Sequence, residues 1–230
     1  VRAVRAHEFS VAEGLALIPS YDDPRIIAGQ GTAGLEIAED IEAAGIAPDG
    51  IAPAGIAPAG IAPDGIAPPG TAFTVLVPIG GGGLAAGVAT AIKSLRPEAR
   101  VYGVEPELAA DAQESLREGR IVRWEHERVG RTVADGVRTA ALGSITFPHL
   151  QAYLDGVLTV SETEICRAMA RARDTVRLIV EPSGAVSLAA WLFHADELPA
   201  DGPVISLLSG GNVDSDTYAE LVARGEAAGG

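Results

Sequence analysis

Apolar and polar positions along the chain switch repeatedly between two periods. Short apolar, β-branched runs at residues 73–79, 100–105, 156–160 and 204–208 read as strands. Each is followed by a stretch with helical spacing. After residues 73–79 (FTVLVPI) come four consecutive glycines, and then Leu84, Val88, Ile92 and Leu95 on one helical face, closed by Arg96-Pro97. Residues 111–119 give a second helix, and Ser161-x-x-Glu164 is a capping box opening a third to about residue 177. Residues 183–194 form a mostly apolar helix with Trp191 and Phe193 expected in the core, and residues 215–223 form the last. Strands alternating with helices predict an α/β fold, a mainly parallel twisted sheet flanked by helices.

Ahead of this pattern the reading is less regular. Residues 1–13 predict a helix stopped by Gly14, and residues 15–18 a short strand. Residues 19–24 are a turn cluster and residues 25–28 a short apolar link. Gly29-Gln30-Gly31-Thr32 then suggests flexible backbone, with Thr32 as N-cap of a helix over residues 33–44. Residues 45–69 are five tandem copies of Gly-Ile-Ala-Pro-Xaa. Proline at every fifth position excludes helix and central strand, so a mobile loop inserted in a single α/β domain of residues 1–230 is expected. The first residue is Val1 rather than methionine, which gives the expectation of a segment of something longer.

Composition narrows the function classes. A formal net charge of -14 argues against nucleic acid and anionic membrane as partners. No apolar run reaches membrane-spanning length. The single cysteine, Cys166, excludes an intrachain disulfide framework and sits in a helical pattern as a small buried residue; a cytoplasmic location is expected. Arg167, Arg171 and Arg173 read as a solvated face. Of 17 basic residues only Lys93 is a lysine.

The candidate chemistry begins at Gly80, Gly81, Gly82 and Gly83. A strand turning through glycines into a helix aims free N–H groups, backed by the helix dipole, at one point. This is a phosphate cradle in outline, with tight strand-to-helix packing as the plainer alternative. A nucleotide-hydrolysing P-loop would need Gly-Lys-Ser/Thr where Gly83-Leu84-Ala85 stands. A degenerate dinucleotide fingerprint, Gly81-x-Gly83-x-x-Ala86 with Glu105 ending the next strand, is the rival. Ligands of parallel sheets bind at the carboxyl ends of strands, which places Gly80–Gly83, Glu105 and Ser209 on one edge.

Six segments carry a resemblance. They are PSYDDPRIIAGQGT (19–32), VPIGGGGLAAG (77–87), YGVEPELAAD (102–111), TVADGV (132–137), IVEPSGAV (179–186) and LLSGGNVD (207–214). In this order they closely resemble the pyridoxal-phosphate-dependent serine/threonine dehydratase and serine racemase family, which shares the tryptophan synthase β-like fold. The resemblance displaces the dinucleotide reading. It implies a chain forming part of that fold's large domain, with pyridoxal 5′-phosphate as cofactor. By position, Gly80–Gly83 would bind its phosphate and Ser209 its pyridine nitrogen. Glu181 would lie near the ring edge, or stand simply as the acid before Pro182. Glu105, Asp111 and the carbonyl of Ala109 match a divalent cation site suited to Mg²⁺ or Ca²⁺.

The departure from the family pattern concerns catalysis. The half of the family's sequence bearing the Schiff-base lysine has no match here, so no catalytic residue is assigned. Lys93 lies about 15 Å along its helix from the glycines by helical rise. His7, His126, His149 and His194 fall outside the matching segments. The resemblance implies an ammonia-lyase that deaminates L-threonine or L-serine to a 2-oxo acid by α-proton abstraction and β-elimination, incomplete in this chain. A serine racemase-like isomerase and a non-catalytic fragment or binding module are the alternatives. The expected partners are a small amino-acid substrate and either a second copy of the chain or an N-terminal half.

Overall fold

The central strand is apolar at nearly every position because both of its faces are covered. The computed structural model describes residues 2–43, 73–200 and 202–229, and the Gly-Ile-Ala-Pro-Xaa repeat lies outside them. Strands β1 (Thr74–Pro78), β2 (Arg100–Pro106), β3 (Gly156–Val160) and β4 (Val204–Ser206) form a sheet in the order β3-β2-β1-β4, with every pairing parallel. All five residues of β1 are buried. Pro78 pairs with Val104, Glu105 with Thr159 and Leu76 with Ser206, so the strands deliver their carboxyl ends to one edge.

The helices are α1 (Arg2–Glu13), α2 (Pro24–Ala43), α3 (Gly83–Leu95), α4 (Asp111–Glu118), α5 (His126–Val129), α6 (Thr146–Tyr153), α7 (Glu162–Val176), α8 (Pro182–Phe193) and α9 (Ser215–Ala227). Alternate strand side chains feed two cores. Val75, Val77, Ile79 and Val101 pack with Ile27 and Ile41 of α2, Val88 and Ile92 of α3, and Leu150 of α6. Leu76, Val104, Leu158 and Val160 pack with Ile165 and Met169 of α7, Val186 of α8 and Leu221 of α9. Helices therefore flank a parallel sheet on both faces, as the periodicity predicts. No helix among the described residues is long and apolar enough to cross a membrane.

Several expectations are corrected. Helix α2 begins at Pro24 and runs through residues 29–32 without a break. Asp23 caps its start, its Oδ1 accepting from the Arg25 N–H at 2.8 Å. Thr32 is not an N-cap, and its hydroxyl donates back to the Gly29 carbonyl at 2.7 Å. Gly31 and Gly34 serve contact with α3, whereas Gly29 stands in open space: a Cβ on Gly31 would lie 3.2 Å from the Gly87 carbonyl oxygen, one on Gly34 2.8 Å from the Ala91 Cβ, and one on Gly87 would strike the backbone of Ile27 and Gly31. Residues 15–18 form no strand, and Leu15, Leu17 and Ile18 are exposed. Helices α5 and α6 arise in a stretch whose pattern predicted neither: α5 has only four residues, and α6 carries Pro148 within it and buries only Thr146 and Leu150, too little to display a period.

On the far face of the sheet the capping box is present as read, the Glu164 N–H donating to Ser161 Oγ at 3.3 Å and the Ser161 N–H to Glu164 Oε2 at 2.7 Å. Cys166 is fully buried, and burial pushes its thiol pKa up. Trp191 and Phe193 are half-buried against the core rather than inside it. Of the three arginines only Arg171 is exposed. Arg167 stacks 4.4 Å over the Phe193 ring, and Arg173 pairs with Asp174 at 2.7 Å and Glu226 at 2.6 Å.

Candidate functional site

Between β1 and α3 the chain turns through Gly80–Gly83 at the carboxyl edge of the sheet. Gly82 is the N-cap of α3, has φ 93°, and no side chain caps the helix. The Ala86 N–H closes the turn onto the Gly82 carbonyl at 2.8 Å, so the N–H groups ahead of it have no acceptor within the helix. Gly81, Gly82 and Gly83 are buried, while Gly80 and Leu84 are half-exposed. A buried, uncapped helix start needs an acceptor from elsewhere, and an anion fits it.

Packing also accounts for all four glycines. A Cβ on Gly80 would press on the backbone of Gly136 and Val137 in the TVADGV loop, and one on Gly81 would enter the Tyr21 ring. One on Gly82 would lie 2.9 Å from Thr146 Oγ1, and one on Gly83 would lie 2.9 Å from the Tyr21 Cα. The two explanations of the glycine run are thus compatible: missing side chains let neighbours close in, while the bare N–H groups remain.

The loop after β4 reaches the same edge. The Leu207 N–H donates to the Leu76 carbonyl at 3.0 Å, which carries exposed Ser209 alongside the end of β1. The Glu181 N–H donates to the Gly210 carbonyl at 3.1 Å, and a Cβ on Gly210 would meet the Glu181 carboxylate. Glu181 is thus held against the residue that follows Ser209, and Pro182 in the first turn of α8 fixes the approach. Burial, then the charge of Asp135, raises the Glu181 pKa. Gly136 of the TVADGV loop donates its N–H to Ser183 Oγ at 2.8 Å, tying that loop to the start of α8.

A buried acid pair lies at the end of β2. Glu105 accepts the Ala112 and Gln113 N–H groups at 3.0 and 2.8 Å, capping α4. Asp111 is 1% exposed and neither carboxylate oxygen has a hydrogen-bond partner. Burial, then the Asp111 charge, raises the Glu105 pKa, and burial pushes Asp111 to about 7. Two buried carboxylates, one of them unpartnered, form a donor set suited to a hard cation. Ala109 is buried in the short turn Glu107–Ala109 between them. Among the described residues no cluster of three or more His, Cys, Asp or Glu could hold a metal ion.

Lys93 does not approach this edge. Its Nζ pairs with Asp155 Oδ2 at 2.7 Å, and that oxygen also accepts the Val101 N–H near the start of β2, at the amino end of the sheet. His149 Nδ1 lies 3.1 Å from Thr90 Oγ1, and His194 lies between Glu164 and Glu197. His7 and His126 are exposed.

The structure adds three residues the sequence reading left without a role. Tyr21 covers the glycine turn, and its pKa is raised by burial and by the charges of Asp22 and Asp111. Asp22 accepts the N–H groups of Ser144, Ile145 and Thr146 at 3.0, 2.7 and 3.3 Å. Burial opposes its ionisation, but these hydrogen bonds prevail and lower its pKa. Thr146 donates its hydroxyl to the Gly81 carbonyl at 2.7 Å. Tyr21 and Asp22 fall in the segment PSYDDPRIIAGQGT, the one signal that could have drawn attention to them.

Residues 1–210 match the family described as pyridoxal-phosphate dependent enzyme. The chain is 36% identical over 219 residues to L-threo-3-hydroxyaspartate ammonia-lyase of Saccharomyces cerevisiae, covering 95% of this chain and 57% of the relative. It is 34% identical to serine racemase of Schizosaccharomyces pombe, covering 97% of this chain and 59% of the relative. Among solved structures, a threonine deaminase from T.th. superposes with a TM-score of 0.74 at 45% identity, covering 91% of this chain and 65% of that one. The chain thus spans less than two thirds of the length of these relatives. Taken with the parallel sheet and the uncapped glycine turn on its carboxyl edge, the match shows that this chain belongs to the pyridoxal-phosphate dependent enzymes of the tryptophan synthase β-like fold.

Proposed function

We propose that this chain is the cofactor-holding part of an ammonia-lyase that converts L-threonine or L-serine to a 2-oxo acid and ammonia. The buried, uncapped start of α3 is the observation that carries the reading. Residues 80–83 and the N-terminal turn of α3 bind the phosphate through main-chain N–H groups. The Ser209 hydroxyl would hydrogen-bond the ring nitrogen, and Glu181, held against Gly210, would lie near the ring edge. When bound, pyridoxal 5′-phosphate supplies the electron sink that makes an α-proton removable and a β-hydroxyl expellable. A neutral serine at the ring nitrogen does not hold a proton there as a carboxylate would, which keeps that sink mild. Glu105, Asp111 and the Ala109 carbonyl would offer oxygen ligands to Mg²⁺ or Ca²⁺.

The same first step serves racemisation, and the serine racemase relative supports that second reading. Lys93, the single lysine in the sequence, is engaged by Asp155, so this stretch supplies no amine to the cofactor. Its reaction therefore needs a lysine from outside these residues, whether through association with another polypeptide or in a longer protein.

Titration of the chain with pyridoxal 5′-phosphate, followed by borohydride reduction and mass spectrometric mapping, tests this. Saturable binding abolished by excess inorganic phosphate, with no pyridoxyl group on Lys93, is expected. A stoichiometric adduct on Lys93, or no binding at all, refutes the assignment.

A further inference from the structure

The hydroxyl of Thr146 is fully buried and sits behind the glycine turn rather than in its mouth. It donates to the Gly81 carbonyl at 2.7 Å and accepts the Gly143 N–H at 3.0 Å, while the Gly143 N–H also reaches the Gly81 carbonyl at 3.3 Å. In a trans peptide the carbonyl and the following N–H point in opposite directions. Holding the Gly81 carbonyl back against α6 therefore turns the Gly82 N–H away from α6, to the opposite side of the turn. The positive φ of Gly82 completes the twist, and the space where its Cβ would stand is filled by Thr146 itself.

Thr146 is in turn fixed from a third element. Asp22, just ahead of α2, grips the start of α6: its Oδ1 accepts the Ile145 and Thr146 N–H groups, and its Oδ2 accepts the N–H and hydroxyl of Ser144 at 3.0 Å each. One anionic side chain thus orders the first turn of α6, and that turn orders the peptide between Gly81 and Gly82. A methyl group would fill the same space, so what threonine adds over valine here is the bond from its hydroxyl to the Gly81 carbonyl.

We propose that Thr146, held by Asp22, is a positioning residue that aims the Gly82 N–H at the cofactor phosphate. The proposal rests on the cofactor reading above and adds to it the device that orients one of the donors. Thr146 touches neither cofactor nor substrate. Its effect passes through a single peptide unit.

The test compares the full chain with Thr146→Val, which keeps the shape and removes the hydroxyl, and Thr146→Ser, which keeps the hydroxyl. Affinities for pyridoxal 5′-phosphate and for inorganic phosphate are measured, together with the amide resonance of Gly82. Loss of affinity by about tenfold in Thr146→Val for both probes is expected, the order associated with misdirecting one hydrogen-bond donor. Thr146→Ser is expected to stay within about twofold, within the spread of such measurements. In the unsubstituted chain, phosphate should shift the Gly82 amide resonance strongly, a readout that needs no variant to fold. Unchanged affinity in Thr146→Val, equal loss in Thr146→Ser, or a Gly82 resonance indifferent to phosphate overturns the proposal while leaving the cofactor reading intact. An unsubstituted chain that binds neither probe overturns both.

Discussion

His194 ties the end of α8 to the start of α7, with Nδ1 2.7 Å from Glu197 and Nε2 3.3 Å from Glu164. Burial alone would lower its pKa, but the two carboxylates outweigh burial and raise it above the ordinary 6.5. A base whose folded pKa is raised adds stability that is complete below the unfolded value and fades as pH rises through the folded one. His194→Gln should therefore lower the melting temperature more at pH 6 than at pH 9; equal losses at both would show that the charge is irrelevant. At this scale the sequence was partly legible. Gly80–Gly83, Glu105 and Ser209 stand at strand ends, where the alternation of elements places them. Asp22 and Thr146 could not be read this way, because the hydrogen bonds that define them join residues 65 to 124 positions apart.

Elements with their own local signals were read closely. Helix α7 has a capping box at its start and keeps a hydrophobic stripe, and β1 and β2 are apolar runs ended by glycine or proline. Helix α2 was misread for a definite reason. Glycine disfavours helix by about 1 kcal/mol relative to alanine, so Gly29-Gln30-Gly31 suggested a break. Close approach of α3 at Gly31 and Gly34 offsets that cost, and such an approach cannot be seen in one segment alone. Gly87→Ala tests the contact: its Cβ would meet the main chain of Ile27 and Gly31, which cannot turn aside as a side chain can. A loss of about 1–3 kcal/mol in urea unfolding is expected, the range for overpacking a tight interface. A neutral result would mean that the two helices separate freely.

For the molecule as a whole, alternating strands and helices gave the class of fold, but strand order was not legible because it depends on which edges meet. The described structure leaves large apolar side chains in water near its amino end: Phe9 is 59% exposed, Val11 69% and Ile18 76%. Such surface favours association. Sedimentation should show the apparent mass rising with concentration, and Phe9→Glu combined with Ile18→Glu should suppress the rise; a concentration-independent monomer would count against a docking role for this segment.

The strand order also sets a schedule. β1 can pair with β2 soon after both are synthesised, but its other neighbour is β4, where Thr74 meets Val204. Pairings so distant along the chain close slowly. During translation the glycine turn and the acid pair can be assembled before residues 204–206 exist, while the rim carrying Ser209 waits for them. On the reading proposed above, a nascent chain would assemble the phosphate-binding glycines before Ser209 is in place, and cofactor capture during synthesis would begin at the phosphate.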